Sequence, residues 1–318
     1  MKWVEQFDVT LDRTIDEPYY AGEVIQGVVE VFCVQQVKIA GLIIRITGVA
    51  ETGWRNKTTD IVFESRHAFM DEALDLTTTI VDHCNDDFQL QEGNHTINFQ
   101  VRLPLDVLST VSRENCGSVR YTCTAFMGIP DDDTELIAEK IFTVYSILNL
   151  DAPYLRESTT ANEEETIHGC CGHQLGSISA SLRIHEIGIL PGEATKITLT
   201  IENKGKKKRW RRHKEKHECV LISLCQQLDF IATNRYDSKL MDRKSVTMAV
   251  ETHGTCKAAR GTGPETKEIE FTVPSNLPPT SVHSNRLVTC SYFFKLDLDH
   301  FDIIVPVVVG TLKTPGPV

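Results

Sequence analysis

Residues 97–103 read Ile-Asn-Phe-Gln-Val-Arg-Leu, with an apolar side chain at every second position. The same alternation recurs over residues 197–202, 268–273 and 301–309. A period of two places one row of side chains on a core and the other row in water, as in half-buried antiparallel strands. Glycine and proline residues separate these runs at short intervals, and helical patterning is scarce. The sequence therefore predicts an all-β protein, built as sandwiches or barrels, with one or two short helices at most.

An internal repeat divides the chain into two similar halves. Three pairs of matching residues lie 170 or 171 positions apart: Gly22 and Gly192, Pro104 and Pro274, and Tyr121 and Tyr292. Three markers in one register indicate a duplicated unit. The stretch between the halves is polar and lacks alternation, which is typical of an exposed linker. We predict two tandem antiparallel β-sandwiches, with an N-terminal sandwich over 1–148, a linker over 149–172, a C-terminal sandwich over 173–313 and a short tail over 314–318.

Composition and charge narrow the class of protein. The net charge of −11 disfavours binding to nucleic acid. No stretch approaches the roughly 18 apolar residues that span a bilayer. The first eight residues turn polar and acidic too early for a signal peptide. We therefore expect a cytoplasmic protein in which the ten cysteines are free thiols.

A basic run contrasts with the acidic composition of the whole chain. Between Lys204 and Lys216 the sequence holds nine lysine and arginine residues and one acid, Glu215. Such clusters bind anionic lipid headgroups or phosphate, and a tryptophan among them favours the membrane interface. A nuclear-localisation patch and a solvated hairpin are the alternative interpretations. The residues predicted to contact anionic lipid or phosphate are Lys206, Lys207, Lys208, Arg209, Trp210, Arg211, Arg212 and Lys214.

Histidine and cysteine cluster at residues 168–173, which read His-Gly-Cys-Cys-Gly-His. These side chains are preferred zinc ligands, but structural zinc sites normally separate two cysteines by at least two residues. Because Cys170 and Cys171 are adjacent, we predict no metal site here, and palmitoylation of the pair is an alternative.

Motifs of catalysis are absent from the sequence. It contains no Gly-x-Ser-x-Gly elbow, no His-Glu-x-x-His pair and no glycine-rich phosphate-binding loop that opens a helix. We therefore expect no catalytic residues and no cofactor, and we predict that the protein is not an enzyme.

Taken in order, several stretches resemble the α-arrestins, the arrestin-domain-containing proteins. They are residues 20–29 (Tyr-Ala-Gly-Glu-Val-Ile-Gln-Gly-Val-Val), 191–193 (Pro-Gly-Glu), 201–203 (Ile-Glu-Asn), the Cys170-Cys171 pair before 176–178 (Gly-Ser-Ile), and the closing run 304–311. The resemblance covers nearly the whole chain. It implies two antiparallel β-sandwiches of arrestin type, which are immunoglobulin-like. It also implies an adaptor that binds the cytosolic parts of transmembrane receptors or transporters. Such an adaptor directs trafficking, endocytosis or ubiquitin-dependent sorting, peripherally at the plasma membrane or endosomes.

One departure from that family concerns ubiquitin ligases. Many α-arrestins recruit the ligase machinery through Pro-Pro-x-Tyr motifs, which dock as polyproline segments. The single Pro-Pro pair here, Pro278-Pro279, is followed by Thr280 and Ser281, and the sequence ends at Val318. The resemblance still implies the ubiquitin-ligase machinery as a partner, but the sequence does not predict direct recruitment through this motif.

A second functional interpretation centres on Cys256. The fragment Gly254-Thr255-Cys256, followed by Arg260 and Gly261, resembles the loop through which the thioredoxin-binding branch of the family makes a redox contact. A thiol in a glycine-flanked loop with basic neighbours has the features of a reactive thiolate. The alternative prediction is thus a soluble redox or signalling partner that acts through Cys256.

Overall fold

The computed structural model describes residues 3–130, 134–168, 174–204, 219–256, 263–282, 287–298 and 301–314. The chain forms two compact units. The first unit contains Met1–Ile147 with Phe230–Lys244 and Asn285–Val288, and the second contains Leu148–Asp229, Ser245–Ser284 and Thr289–Val318. Each unit is therefore assembled from segments that are far apart in the sequence.

The first unit holds twelve complete strands and one short helix in its described part. The elements are β1 (Val4–Leu11), β2 (Tyr19–Tyr20), β3 (Val24–Cys33), β4 (Val37–Lys38), β5 (Gly41–Arg55), β6 (Val62–Asp75), α1 (Thr77–Ile80), β7 (Gln89–Leu90), β8 (Gly93–Arg102), β9 (Val111–Arg113), β10 (Gly117–Ile129), β11 (Thr134–Phe142) and β12 (Val144–Tyr145), with a 3-10 turn over Val81–His83. The prediction of an all-β protein with little helix is confirmed.

Two antiparallel sheets enclose the core of the first unit. One has the order β1-β3-β8, and the other runs β11-β10-β5-β6. The apolar residues of the alternating run at 97–103 face inward, since Ile97 is 1% and Phe99 4% exposed. Aromatic side chains fill the centre, where the rings of Tyr19 and Phe142 meet edge to face at 5.8 Å. Alternation in the sequence thus becomes burial on one face of each sheet.

The second unit repeats the sandwich plan. Its elements are a 3-10 turn (Pro153–Arg156), β13 (Thr159–His168), β14 (Gln174–Ile184), β15 (Gly188–Ile189), β16 (Ala194–Asn203), β17 (Cys219–Asn234), β18 (Met241–Cys256), β19 (Glu265–Thr272), β20 (Val288–Asp297) and β21 (Asp302–Val309). The end of β17 and the start of β18 belong to the first unit. One sheet has the order β13-β14-β16-β19, and the other joins β17, β20, β21 and β15, with β18 paired to β17. Phe271 and Phe294 meet edge to face at 5.0 Å in the core.

The segment predicted as a linker, 149–172, differs in the structure. Its residues Thr159–His168 form β13, which pairs with β14 along its length and lies at the edge of the four-stranded sheet. The side chains of Glu163, Glu164 and Glu165 are exposed. Because most of the surface of this edge strand faces solvent, its sequence shows no apolar alternation and has the polar composition of a linker.

The internal repeat has a structural counterpart in two tyrosines. The hydroxyl of Tyr121 donates to the carbonyl of Leu108 (2.6 Å), and the hydroxyl of Tyr292 donates to the carbonyl of Pro278 (2.7 Å). Both rings are buried, at 0% and 2% exposure. Each unit therefore uses one buried tyrosine to anchor the segment that precedes its strand.

The two repeated glycines also share a role. Gly22 and Gly192 have φ angles of 79° and 81°. This left-handed conformation is strained for residues that carry a Cβ atom. Each lies in the tight turn before a long strand, β3 or β16. The sequence match at these two positions thus reflects a shared backbone requirement.

A polar cluster joins the start of the second unit to the segment that follows its last strand. Asp151 accepts hydrogen bonds from the hydroxyl and amide of Thr314 (2.6 and 2.8 Å) and from the guanidinium of Arg156 (2.7 Å). These bonds, led by those from Thr314, hold the pKa of Asp151 well below its usual range. Beside the cluster the amide of Leu150 donates to the carbonyl of Leu312 (2.8 Å). Residues 148–156 are therefore an integral part of the second unit.

Candidate functional site

The β5–β6 hairpin of the first unit ends in an ordered tip over residues 56–61. The side-chain oxygen of Asn56 accepts hydrogen bonds from the amides of Thr58 (3.0 Å) and Thr59 (3.2 Å). Its backbone pairs with Ile61 and Asp60 at 2.9 Å, and Asp60 adopts a φ of 58°. Asparagine and aspartate form such turns readily because their short side chains bond to nearby backbone amides. The tip is therefore held by its own sequence.

A second ordered tip spans residues 234–241, where the chain turns from β17 into β18. The side chain of Asn234 accepts hydrogen bonds from the amides of Tyr236 (2.7 Å) and Asp237 (2.9 Å), and Asp237 accepts one from the amide of Lys239 (3.0 Å). The amide of Asn234 also donates to the carbonyl of Leu240 (2.8 Å). These bonds fix the turn without any help from an apolar core.

The two tips lie side by side in the first unit. Thr233 pairs with Glu64 across an antiparallel ladder, and its amide donates to the hydroxyl of Ser65 (3.1 Å). The indole of Trp54 donates to a carboxylate oxygen of Asp242 (2.9 Å). Further support comes from the hydroxyl of Thr52, which donates to Ile231 O (2.7 Å), and from the Arg235–Glu64 ion pair (3.2 Å). We call residues 56–61 and 234–241 the paired tips.

The paired tips expose unusually large apolar side chains for an ordered surface. Tyr236 is 91% exposed, Met241 66% and Leu240 42%. Tyrosine and methionine are enriched in protein interfaces, where a rigid mount lowers the entropy lost on binding. Charges of both signs surround them, from Lys57 and Asp60 on one tip to residues 235–239 on the other. This arrangement can anchor a protein partner. Among its described side chains, none is positioned to make or break covalent bonds.

A second feature of the first unit is the outward face of the sheet β1-β3-β8. A cavity of about 630 Å³ opens there, lined by Thr10, Leu11, Asp12, Gln26, Gly27, Val28, Asn98, Phe99 and Gln100. At the rim, Asp12 accepts hydrogen bonds from the hydroxyl of Tyr19 (2.5 Å) and the amide of Gln26 (3.1 Å). Burial, followed by the bond to Asp12, raises the pKa of Tyr19 above its ordinary value. The surface is neutral in its middle and suits a polar peptide better than an ion.

The basic run predicted from the sequence lies outside the described residues. This applies to Lys206, Lys207, Lys208, Arg209, Trp210, Arg211, Arg212 and Lys214. The strands that flank it are described: β16 ends at Asn203, and β17 begins at Cys219. The role of the run stays a prediction.

Cys256 is the last residue of β18, and only its backbone is described. The hydroxyls of Ser223 on β17 and Thr252 on β18 are 3.0 Å apart, which sets these residues opposite each other. Continued along the antiparallel pair, this register brings the end of β18 beside the start of β17. The strand end that carries Cys256 thus lies beside the first residues of β17. The redox role of Cys256 stays a prediction.

The buried cysteines among the described residues are unsuited to redox chemistry. Cys33, Cys116, Cys123, Cys225 and Cys290 are buried free thiols. Burial raises the pKa of Cys123 to about 12 and that of Cys33 and Cys290 to about 11. A thiol with a raised pKa is rarely the reactive thiolate. These residues serve as small apolar side chains of the core.

In the ranges that the structure describes, no group of three or more His, Cys, Asp or Glu side chains is arranged to hold a metal ion. His168 ends β13, whereas Cys170, Cys171 and His173 lie outside those ranges. None of the described helices has the length and apolarity to cross a bilayer.

Sequence reasoning missed the paired tips. Each tip carries a local turn signal, Asn56 in one and Asn234 with Asp237 in the other. Their adjacency depends on pairing between Thr233 and Glu64, which are far apart in the chain. A local pattern cannot reveal such a partner.

Comparison with protein families matches both halves of the chain. Residues 7–151 match the family described as Arrestin (or S-antigen), N-terminal domain. Residues 174–314 match the family described as Arrestin (or S-antigen), C-terminal domain. The two matches follow the order of the two sandwiches.

Individual relatives extend this likeness over the full length. Arrestin domain-containing protein 17 of Caenorhabditis elegans is 23% identical over 325 residues, which cover 98% of this chain and 72% of the relative. Arrestin domain-containing protein 15 of the same organism is 23% identical over 281 residues, with coverage of 86% and 70%. Arrestin domain-containing protein 4 of Mus musculus is 29% identical over 114 residues, which cover 36% of this chain and 27% of that protein.

Proposed function

The chain belongs to the arrestin family, and we propose on that premise that it is a cytoplasmic adaptor for the cytosolic parts of membrane receptors or transporters. Arrestin-family proteins are generally non-enzymatic adaptors that bind receptors and trafficking machinery. Its role is to direct the trafficking, endocytosis or ubiquitin-dependent sorting of the bound protein, at the plasma membrane or endosomes. The main observation in support is the exposure of Tyr236 on the paired tips, in a turn that is held by a hydrogen bond from the Tyr236 amide to the side chain of Asn234.

The physical case for binding rests on anchors and their mounts. Tyr236 and Met241 lie on a turn that Asn234 and Asp237 hold by hydrogen bonds, so little conformational entropy remains to be lost. Burying an exposed tyrosine and methionine contributes apolar contact at low entropic cost. A cytosolic loop or tail of a membrane protein is the partner that we assign to this surface.

The test of this function is the surface level of membrane proteins in cells that express the chain. Cell-surface biotinylation with mass spectrometry would compare the wild-type chain with the double variant Tyr236→Ser, Met241→Ser. Loss of both anchors should weaken partner binding at least about tenfold. We therefore expect the wild type to lower the surface level of a set of receptors or transporters, and the variant to leave that set unchanged.

Tyr154→Ser is the matched control, because Tyr154 is 62% exposed but lies in the second unit. It should act like the wild type. Equal activity of the double variant would exclude the paired tips as the binding surface. No effect of the wild-type chain on any membrane protein, together with capture of soluble dithiol proteins that depends on Cys256, would favour the redox alternative instead.

The basic run carries the second element of the proposal, contact with an anionic membrane. Near an anionic leaflet each lysine or arginine contributes about 1 kcal/mol, so the run as a whole can hold a protein at the surface. Co-sedimentation with phosphoinositide vesicles should be strong at low salt, weak at high salt, and lost when Lys206, Lys207, Lys208, Arg209, Arg211 and Arg212 are changed to serine. Equal sedimentation of that variant and the wild type would exclude this role.

A further inference from the structure

Strand β8 forms one edge of the sheet β1-β3-β8, and two hydrogen bonds show which of its backbone groups face outward. The amide of Leu103 donates to Glu23 O (2.8 Å), and on the far side of β3 the amide of Asp12 donates to Gln26 O (3.0 Å). Bonding direction alternates along an antiparallel strand. The odd-numbered residues of β8 therefore bond to β3, and the even-numbered residues within Gly93–Arg102 turn their N–H and C=O groups outward.

These outward groups are accessible and lack backbone partners. All five even-numbered residues of β8 are exposed, from Asn94 to Arg102. Within the described part of the chain, no loop or turn makes a backbone hydrogen bond to them. A row of unpaired donors and acceptors along an edge is a template for another strand.

The edge of β8 also lacks the usual protection against strand pairing. Natural edges are blocked by charge, proline or a bulge. Strand β13 carries Glu163–Glu165, and β1 has a bulge between Val4 and Gln6. Strand β19 carries four charged residues, Glu265, Lys267, Glu268 and Glu270. Strand β8 runs ten residues in unbroken register without proline, and its one lysine, arginine or acid is Arg102 at the very end. A long edge without proline or a bulge, and with one charge at its end, is what a strand-binding site requires.

The cavity of about 630 Å³ gives this edge room for side chains, because Asn98, Phe99 and Gln100 of β8 are among its lining residues. A strand added to β8 would place every second side chain on the outward face, beside Thr96, Asn98 and Gln100. Hydroxyl and amide side chains on the added strand complement these neutral neighbours.

We propose that the open edge of β8 binds an extended peptide by strand addition. The inference deepens the proposed function and rests on it for the source of the peptide, the cytosolic tail of a membrane protein. The peptide has apolar residues at alternate positions, facing the side of Ile97 and Phe99, and Ser, Thr, Asn or Gln between them. An acidic residue at one end pairs with Arg102, whose guanidinium spends one donor on Gly22 O (3.0 Å) and keeps others available.

A direct readout is amide hydrogen exchange measured by NMR. The probe is a synthetic nonapeptide that alternates valine with threonine and glutamine and ends in glutamate. In the free protein the amides of Thr96, Asn98 and Gln100 should exchange fast, and those of Ile97 and Phe99 slowly. A saturating peptide should slow the first set at least about tenfold and leave the second set unchanged, because strand addition protects only the outward amides.

Two variants at one position separate strand addition from general damage. Asn98→Pro removes an outward N–H that the sheet itself does not use, and proline is tolerated at such edge positions. Asn98→Thr keeps the N–H and serves as the matched control. In fluorescence titration of the labelled peptide, the proline variant should bind at least about tenfold more weakly than the threonine variant, while the midpoints of thermal unfolding stay equal.

Three results would overturn the inference. The first is slow exchange at Thr96, Asn98 and Gln100 in the free protein. The second is an exchange rate at these amides that the peptide leaves unchanged. The third is a dimer, detected by light scattering, whose two copies pair symmetrically through β8. Failure at this edge with an intact effect of the wild-type chain on surface proteins would refute the inference alone. Peptide binding without any effect on surface proteins would refute the adaptor function alone.

Discussion

Replacing Tyr292 by leucine is expected to lower the free energy of unfolding of the second unit by about 4 kcal/mol. The ring is 2% exposed, and its hydroxyl stands between two buried partners. It donates to Pro278 O (2.7 Å) and accepts from the side-chain amide of Gln226 (2.7 Å). Leucine leaves both partners unsatisfied and creates a cavity where the ring had been. The loss therefore combines a packing term with a desolvation term.

Tyr292→Phe isolates the desolvation term and should cost about 2 kcal/mol. Tyr154→Leu is the exposed control, expected to stay within about 0.5 kcal/mol of the wild type. Urea unfolding followed by hydrogen exchange of β20 amides reports on the second unit itself, which matters because a two-unit chain need not unfold in one step. A phenylalanine variant as stable as the wild type would show that the hydroxyl network adds nothing.

Replacing Gly27 by valine is expected to destabilise the first unit by about 3 kcal/mol. A Cβ at this position would lie 2.3 Å from Cζ of Phe99 and 2.8 Å from the backbone oxygen of Thr10. The ring of Phe99 can rotate only against a packed core, and the backbone of β1 cannot retreat without breaking its ladder. Overpacking on both sides of one strand leaves no direction for relaxation.

The control for this prediction is Gly53→Ala, since the nearest atoms to its added Cβ are at 3.7 and 3.9 Å. This change should be neutral or slightly stabilising, by up to about 1 kcal/mol. Adding Phe99→Leu to Gly27→Val should restore part of the lost stability, because it relieves the contact with the ring but not that with Thr10. Full recovery in the double variant, measured by thermal unfolding, would contradict the role given to the backbone of β1.

Much of the fold could be predicted from the sequence, because alternation and burial have the same period. The run at 97–103 became the end of β8, and the 170-residue repeat became two sandwiches with matching tyrosines. The family resemblance drawn from ordered short stretches is confirmed by matches to both arrestin domains. Structural features that depend on local geometry can therefore be predicted from the sequence.

Features that depend on distant partners could not be predicted in the same way. The polar residues of β13 read as a linker because an exposed edge strand shows one face to solvent and little alternation on the other. The pairing of Thr233 with Glu64, and with it the paired tips, has no local signature. The open edge of β8 could not be predicted for the same reason. Whether a strand lies at the edge of a sheet depends on which other strands pair with it, and its own sequence does not show this.

The first unit cannot be completed until late in the synthesis of the chain, because it includes residues 230–244. Its strands up to residue 147 are incomplete without Phe230–Lys244, which supplies Ile231 O for Thr52 and Asp242 for Trp54. At translation rates of about 5 to 20 residues per second, residue 244 emerges roughly 5 to 19 seconds after residue 148. Until then the newly made half exposes the edge of β6 with its hydrogen-bonding groups unfilled, so the ribosome-bound chain has a window in which a chaperone can recognise it.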